Sequence, residues 1–264
     1  MPVDPISLQV FKSKFESVAE EMGVALQRTA YSPNIKERRD FSCAVFNPEG
    51  DMVAQAADIP VHLGAMPASV KAALTVFPDS LNPGDIVILN DPYMGGSHLP
   101  DITMVAPIYS EEKGKKVLTG FVANRGHHAD VGGMTPGSLP LSTELYQEGT
   151  IIPPIKLARR GRLNQEIIQL ICRNSRTSDE RKGDLAAQTA AIKVGEQRMK
   201  EVTERYGLAE TLEHMAALLD YSERVTRRAI AKIPDGRYEV TDYMDDDGLT
   251  QELVPITVAI TVSG

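Results

Sequence analysis

Apolar residues at positions 11, 15, 18, 22 and 26 (Phe11, Phe15, Val18, Met22, Leu26) recur at helical spacing, with Glu, Lys and Gln between them. Asp4 before Pro5 is a helix cap with a proline at the first helical position. The pattern predicts one long amphipathic helix to about Ala30, ended by Ser32-Pro33. Ser42–Phe46 reads as a strand, Asn47-Pro48-Glu49-Gly50 as a turn and Met52–Gln55 as the returning partner. Pro67–Val76 predicts a short helix, Asn82-Pro83-Gly84-Asp85 a turn and Asp85–Asn90 a buried strand. Ile102–Tyr109 and Val117–Ala123 flank the polar stretch Ser110–Lys116 and form the clearest hairpin.

After Asn164 the period changes. Leu163–Cys172, Lys182–Tyr206 and Leu208–Ile233 are helical by spacing and alanine content. A last hairpin, Tyr238–Met244 with Leu253–Val262, flanks Asp245-Asp246-Asp247-Gly248, which reads as a turn. The expected class is α+β, with mixed or antiparallel sheets and a C-terminal helical block. The expected division is a mixed-sheet domain over 1–160 and a helical block plus hairpin over 161–264. A strand at the very end of the sequence is what either a natural domain end or a chain cut from a longer one would show.

Composition narrows the class of function. Of 264 residues 42% are hydrophobic and 24% charged, which fits a globular protein. Aromatics are only 5%, with no Trp, so a base-stacking surface for nucleic acid is not expected. The net charge of −8 repels phosphate backbones and anionic membranes. Two cysteines, Cys43 and Cys172, cannot build a disulfide framework, and Cys43 reads as core. Met1-Pro2-Val3-Asp4-Pro5 has no secretory pattern, and no apolar run reaches the roughly 20 residues of a membrane span. A cytoplasmic protein without nucleic-acid or membrane partners is expected.

The candidate chemistry lies in two glycine-rich segments. They are Asn90-Asp91-Pro92-Tyr93-Met94-Gly95-Gly96-Ser97-His98-Leu99-Pro100-Asp101 and Asn124-Arg125-Gly126-His127-His128-Ala129-Asp130-Val131-Gly132-Gly133. The first ends where the hairpin's first strand begins, and the second starts where its second strand ends. A turn centred near Lys113 would set Leu99 opposite His127 and Asp101 opposite Arg125, on strands about 4.8 Å apart. His98, Asp101 and one of His127 and His128 can then converge. Two imidazoles and a carboxylate suit Mn, Zn or Fe. The competing reading is ordinary loop histidines. A non-haem iron oxygenase is disfavoured, because two residues rather than one separate His98 from Asp101.

Several other residues are candidates. Asp40 and His62 can line the same cavity, or form a local ion pair and a packed imidazole. Asp91 and Asp130 can orient the ligating histidines or cap turns. Glu148 can act as a general base or stand on the surface. Asn174, Arg176 and Asp184 can bind an anionic group or fasten helix ends. Neither a G-x-S-x-G nucleophile elbow nor a G-x-x-x-x-G-K-[ST] phosphate loop occurs.

These residues also carry a family resemblance. The two glycine-rich segments, Ser32-Pro33-Asn34-Ile35-Lys36-Glu37-Arg38-Arg39-Asp40-Phe41-Ser42, Ile59-Pro60-Val61-His62-Leu63-Gly64-Ala65-Met66-Pro67, Glu148-Gly149-Thr150-Ile151-Ile152-Pro153-Pro154, Asn174-Ser175-Arg176 and Gly183-Asp184-Leu185-Ala186-Ala187-Gln188 resemble the B-type subunit of the hydantoinase/oxoprolinase family. The resemblance implies a metal held by His98, Asp101 and His127, the last preferred to His128 because it follows Gly126 directly. It implies an oligomer with an A-type subunit that uses ATP to phosphorylate the substrate. It implies hydrolysis of a cyclic amide such as a hydantoin or 5-oxoproline; a ketone carboxylase subunit of the acetone or acetophenone type is the alternative, and a non-catalytic assembly subunit a third. Members of that family are longer, so the chain is expected to match their N-terminal half.

Overall fold

The computed structural model describes residues 3–56 and 59–264, so Met1 and Pro2, part of the segment read for a secretory pattern, lie outside the described residues. The chain forms two compact units, the first running to Ala216 and the second Ala217–Gly264. The boundary does not fall at 160, because the helices that follow that point pack on the sheet that precedes it.

The first unit opens with helix α1 (Pro5–Thr29), whose cap Asp4 accepts hydrogen bonds from the amides of Ile6 and Ser7. Its buried side, Phe11, Phe15, Val18, Met22 and Leu26, is the predicted stripe. A single turn, α2 (Pro33–Lys36), is capped by Ser32. The strands are β1 (Phe41–Phe46), β2 (Met52–Gln55), β3 (Ile86–Leu89), β4 (Asp101–Glu112), β5 (Lys115–His127), β6 (Ile155–Arg159) and β7 (Arg162–Leu163). They form one antiparallel sheet in the order β2-β1-β5-β4-β3-β6-β7.

Helices cover this sheet. Helix α3 (Pro60–Val76) packs on β1, β4 and β5. Leu63, Met66, Val70 and Ala73 of α3 meet Ala44, Phe46, Val87, Val105, Phe121 and Ala123 in one buried core. Helix α4 (Gln165–Arg173) leads into the long helix α5 (Ser178–Tyr206), which lies along α1 and across β4 and β5. On that side Gly195 lets Met22 and Val122 come close, and the Asn124 side chain donates to the Gln188 carbonyl. The alternate residues of β5 therefore face different helices, Phe121 and Ala123 towards α3, Val122 and Asn124 towards α5. Every residue of β1 and β3 is buried, as expected for strands covered on both faces.

The α+β class with antiparallel strands and a helical block is as expected. Two details differ. Helix α3 begins at Pro60, not Pro67, because a proline at the first helical position costs no hydrogen bond and Pro67 is accommodated inside the helix. His62 is therefore helical and buried. The short pair β6 and β7 was not apparent from the pattern. The second unit holds the end of α6 (Leu208–Ile230) and the hairpin β8 (Gly236–Met244) with β9 (Val254–Val262), paired from Gly236↔Val262 to Met244↔Val254. No helix among the described residues is long and apolar enough to cross a membrane.

Candidate metal centre

The hairpin of β4 and β5 sets the site. Its turn is the two-residue pair Lys113-Gly114, both at positive φ (50° and 75°), the conformation that favours glycine and matches strand twist. This shifts the pairing by one residue from a turn centred on Lys113. A bulge beside Ile108 and Tyr109, where Thr119 has no opposite, shifts it by one more. The outcome is Asp101 directly opposite His127 and Thr103 opposite Arg125, in place of the expected Leu99–His127 and Asp101–Arg125 pairs. Gly120 follows the bulge at φ 154°, where a Cβ would stand 2.2 Å from the Phe46 carbonyl oxygen.

His127 continues the α3-facing row of β5, and His128 the other. Asp101 is buried, with Oδ1 3.0 Å from His127 Nδ1 and 3.3 Å from His62 Nε2. Its Oδ2 lies 3.0 Å from His98 Nδ1 and accepts from the Ser97 hydroxyl at 2.8 Å. The turn that delivers His98 is closed by the Asp101 amide donating to the His98 carbonyl, 3.0 Å. The His98 and His127 rings are 5.1 Å apart and tilted by 35°. Burial pushes the Asp101 carboxyl up, but hydrogen bonds from His127, His62 and His98 outweigh it and hold the group well below the usual carboxylate range.

His98, Asp101 and His127 each offer an atom within 4.8 Å of the others, so they form a group able to hold a metal ion. The donor set of two imidazoles and one anionic oxygen fits a first-row divalent ion. The His98 side chain is 36% exposed and that of Asp40 28%, so the cluster opens to solvent there. His62 Nε2 also lies 3.6 Å from Asp40 Oδ1, and its Nδ1 is buried without a hydrogen-bond partner. The Asp40 carbonyl accepts from the His127 amide, 2.9 Å, which fixes that strand end. A cavity of about 620 Å³ is lined by Tyr109, Glu112, Lys116 and Lys200 at the far end of the hairpin, away from this cluster.

The fold gives the remaining candidates other partners. His128, fully buried, pairs through Nε2 with the Gln188 side-chain oxygen at 2.9 Å. Burial first and the Arg181 charge second push its imidazole down to about 4. Asp91 caps the short turn Pro92–Met94 by accepting from the Tyr93 amide. Asp130 accepts from the Gly132 amide and from the Arg176 backbone and guanidinium, closing the loop after β5. Asn174 donates to the Leu170 carbonyl at the end of α4. Asp184, buried, accepts from the Tyr31 and Ser32 amides and pairs with Arg181, tying α5 to the start of α2. Glu148 accepts from the Ser142 hydroxyl in the 129–150 loop. Pattern reading missed Arg125, Ser69 and Thr103, which lie on the α3 side beside the cluster; the only sequence signal was that Arg125 precedes His127 by two and so shares its face.

The chain matches the family model described as Hydantoinase B/oxoprolinase over residues 4–264. It is 41% identical over 252 residues to 5-oxoprolinase of Dictyostelium discoideum, covering 92% of this chain and 20% of the relative. It is 34% identical over 263 residues to caprolactamase subunit beta of Pseudomonas jessenii, covering 99% and 45%. The crystal structure of ATP-dependent caprolactamase from that organism superimposes with a TM-score of 0.90 at 34% identity, covering 100% of this chain and 45% of that one. An acetone carboxylase structure shares the fold, with a TM-score of 0.80 at 21% identity over 91% of this chain and 32% of that one. The chain thus spans less than half the length of each relative. A match that runs through the sheet, its covering helices and the His98–Asp101–His127 cluster places this chain in the hydantoinase B/oxoprolinase family.

Proposed function

We propose that this chain is the metal-binding B-type component of an ATP-dependent cyclic-amide hydrolase. The observation that carries the reading is the convergence of His98, Asp101 and His127, with ligating atoms within 4.8 Å, in a family that includes 5-oxoprolinase and caprolactamase. Those three side chains would hold a divalent Mn, Zn or Fe ion. Such an ion supplies a Lewis acid that stabilises negative charge developing on a substrate oxygen. Asp101 supplies the anionic donor, since its hydrogen bonds keep it ionised. His62 Nε2 stands between Asp40 Oδ1 and Asp101 Oδ1, so a proton on that nitrogen would orient the Asp101 carboxylate and hold Asp40 beside the cluster. Asp40 takes the general-base role in preference to Glu148, which is engaged by Ser142.

The ATP step belongs to an A-type partner subunit, since the chain has no phosphate loop of its own and the caprolactamase it resembles is ATP-dependent. The test is to co-produce the two subunits and measure ATP-dependent ring opening of 5-oxoproline, hydantoin and caprolactam, with acetone plus bicarbonate as the carboxylase arm. Ring opening that is lost in Asp101→Asn and His127→Ala supports the reading. Undiminished turnover in both variants, or carboxylation alone, overturns it.

A further inference from the structure

Arg125 is wholly buried, yet among the described residues no carboxylate lies within 4.0 Å of it. A buried guanidinium without a direct counter-ion is costly, so its hydrogen-bond partners show what it is kept for. Nε donates to Thr103 Oγ1 on β4 at 2.8 Å, and Nη2 donates to Ser69 Oγ on α3 at 2.8 Å. Nη1 donates to Ser97 Oγ at 3.2 Å, and Ser97 hands its own hydrogen to Asp101 Oδ2 at 2.8 Å. Ser69 in turn donates to the Gly95 carbonyl, in the loop that leads to His98.

One planar fork thereby grips every segment that supplies the cluster. Helix α3 carries His62, the 95–98 loop carries His98, β4 carries Asp101, and Arg125 shares β5 with His127. Ser97 thus accepts from Arg125 and donates to Asp101, and the two bonds together set the direction of its hydroxyl. We propose that Arg125 is a positioning residue for the metal centre, holding Asp101 and the His98 loop in ligating geometry through the Ser97 hydroxyl. The assignment rests on the metal reading above. Lysine keeps the charge but lacks the three-way fork, so it cannot replace arginine here.

The test measures Mn²⁺ and Zn²⁺ affinity by competition with a chromogenic chelator, and the visible absorption of the Co²⁺-loaded protein, which reads ligand geometry. The proteins are wild type, Arg125→Lys, Arg125→Met, Ser97→Ala and the Arg125→Met/Ser97→Ala double variant. Each single change is expected to weaken metal binding by about 10–100-fold and to alter the Co²⁺ spectrum. The double variant is expected to bind no more weakly than Arg125→Met, because both act through one hydrogen bond. Affinities within about 2-fold of wild type with unchanged spectra, or fully additive losses, overturn the assignment alone. Failure of wild type to bind any of the three ions overturns the metal reading and this assignment with it. Should Arg125→Met fail to fold, Ser97→Ala, which removes one hydroxyl, decides: weakened binding supports the relay and unchanged binding overturns it.

Discussion

Successive side chains of a strand point to opposite faces, and at the end of β5 that rule separates two adjacent histidines. His127 turns towards α3 and Asp101, while His128 turns towards α5 and Gln188. His127→Ala is therefore expected to abolish stoichiometric metal binding, with a stability cost limited by the partners that Asp101 keeps in His62, His98 and Ser97. His128→Ala is expected to keep the metal and lower unfolding free energy by about 1–3 kcal/mol, since the Gln188 oxygen loses its buried partner. Metal analysis and urea melts of the two variants check this, and the reverse assignment of effects would sink it. Composition alone left these two histidines open; only the strand period, once the strand was known to reach His127, tells them apart. Asp130 and Asp184 each allowed a site reading and a structural one in the sequence, because their partners Arg176, Tyr31 and Ser32 become neighbours only in the folded chain. The one local signal for Arg125 is its place two residues before His127, because the three hydroxyls that define its role are far apart in sequence.

Register converts a histidine-rich sequence into a site. The β4–β5 hairpin was legible from its two apolar runs, but its pairing was displaced by two residues, one from the Lys113-Gly114 turn and one from the bulge at Thr119. A lysine-glycine pair is a turn signal that can be read; a bulge is a response to neighbouring strands and cannot. Gly120 and Gly114 both have positive φ, yet their surroundings differ. A Cβ on Gly114 meets nothing within 4 Å, whereas one on Gly120 runs into the backbone oxygen of Phe46 on β1. Gly114→Ala is thus expected to cost about 1 kcal/mol, and Gly120→Ala about 1–3 kcal/mol with weaker metal binding, because β1 and β5 must separate. Denaturant midpoints and metal titration check the contrast; equal costs at the two positions would remove the bulge from the account. Helix α3 makes the same point, since Pro67 looked like a start and is an interior residue, and the extra turns before it carry His62 into the cluster.

The sandwich of sheet and helices buries ionisable groups far from one another, and two of them set opposing pH responses for the first unit. Glu196 on α5 lies against Pro107, Ile108 and Tyr109, with Lys193 and Lys200 nearby. Burial raises its carboxyl from 4.5 to about 7, with Lys193 opposing. Between those values the folded chain holds a proton that the unfolded chain has released, so this contribution falls as pH rises through the window. His128 behaves in the opposite sense. Burial and Arg181 lower it from 6.5 to about 4, against the pull of Asp184 and Gln188, with His127 adding to the depression. The unfolded chain then binds a proton that the folded chain refuses, and stability is lost as pH falls from 6.5 towards 4. Between about pH 4.5 and 6.5 the two slopes oppose, so the metal-free protein should show a nearly flat stability curve there. Glu196→Gln removes one slope. It is expected to stabilise the protein at pH 8 by about 1–2 kcal/mol, allowing for the partly exposed position, and to uncover a decline on acidification below pH 6.5. Urea melts of both proteins at pH 4.5, 6 and 8 test this. A Glu196→Gln curve parallel to wild type at all three values would mean that α5 does not shield the carboxylate, and that the helix covers this end of the sheet less closely than its neighbours Ile108 and Tyr109 imply.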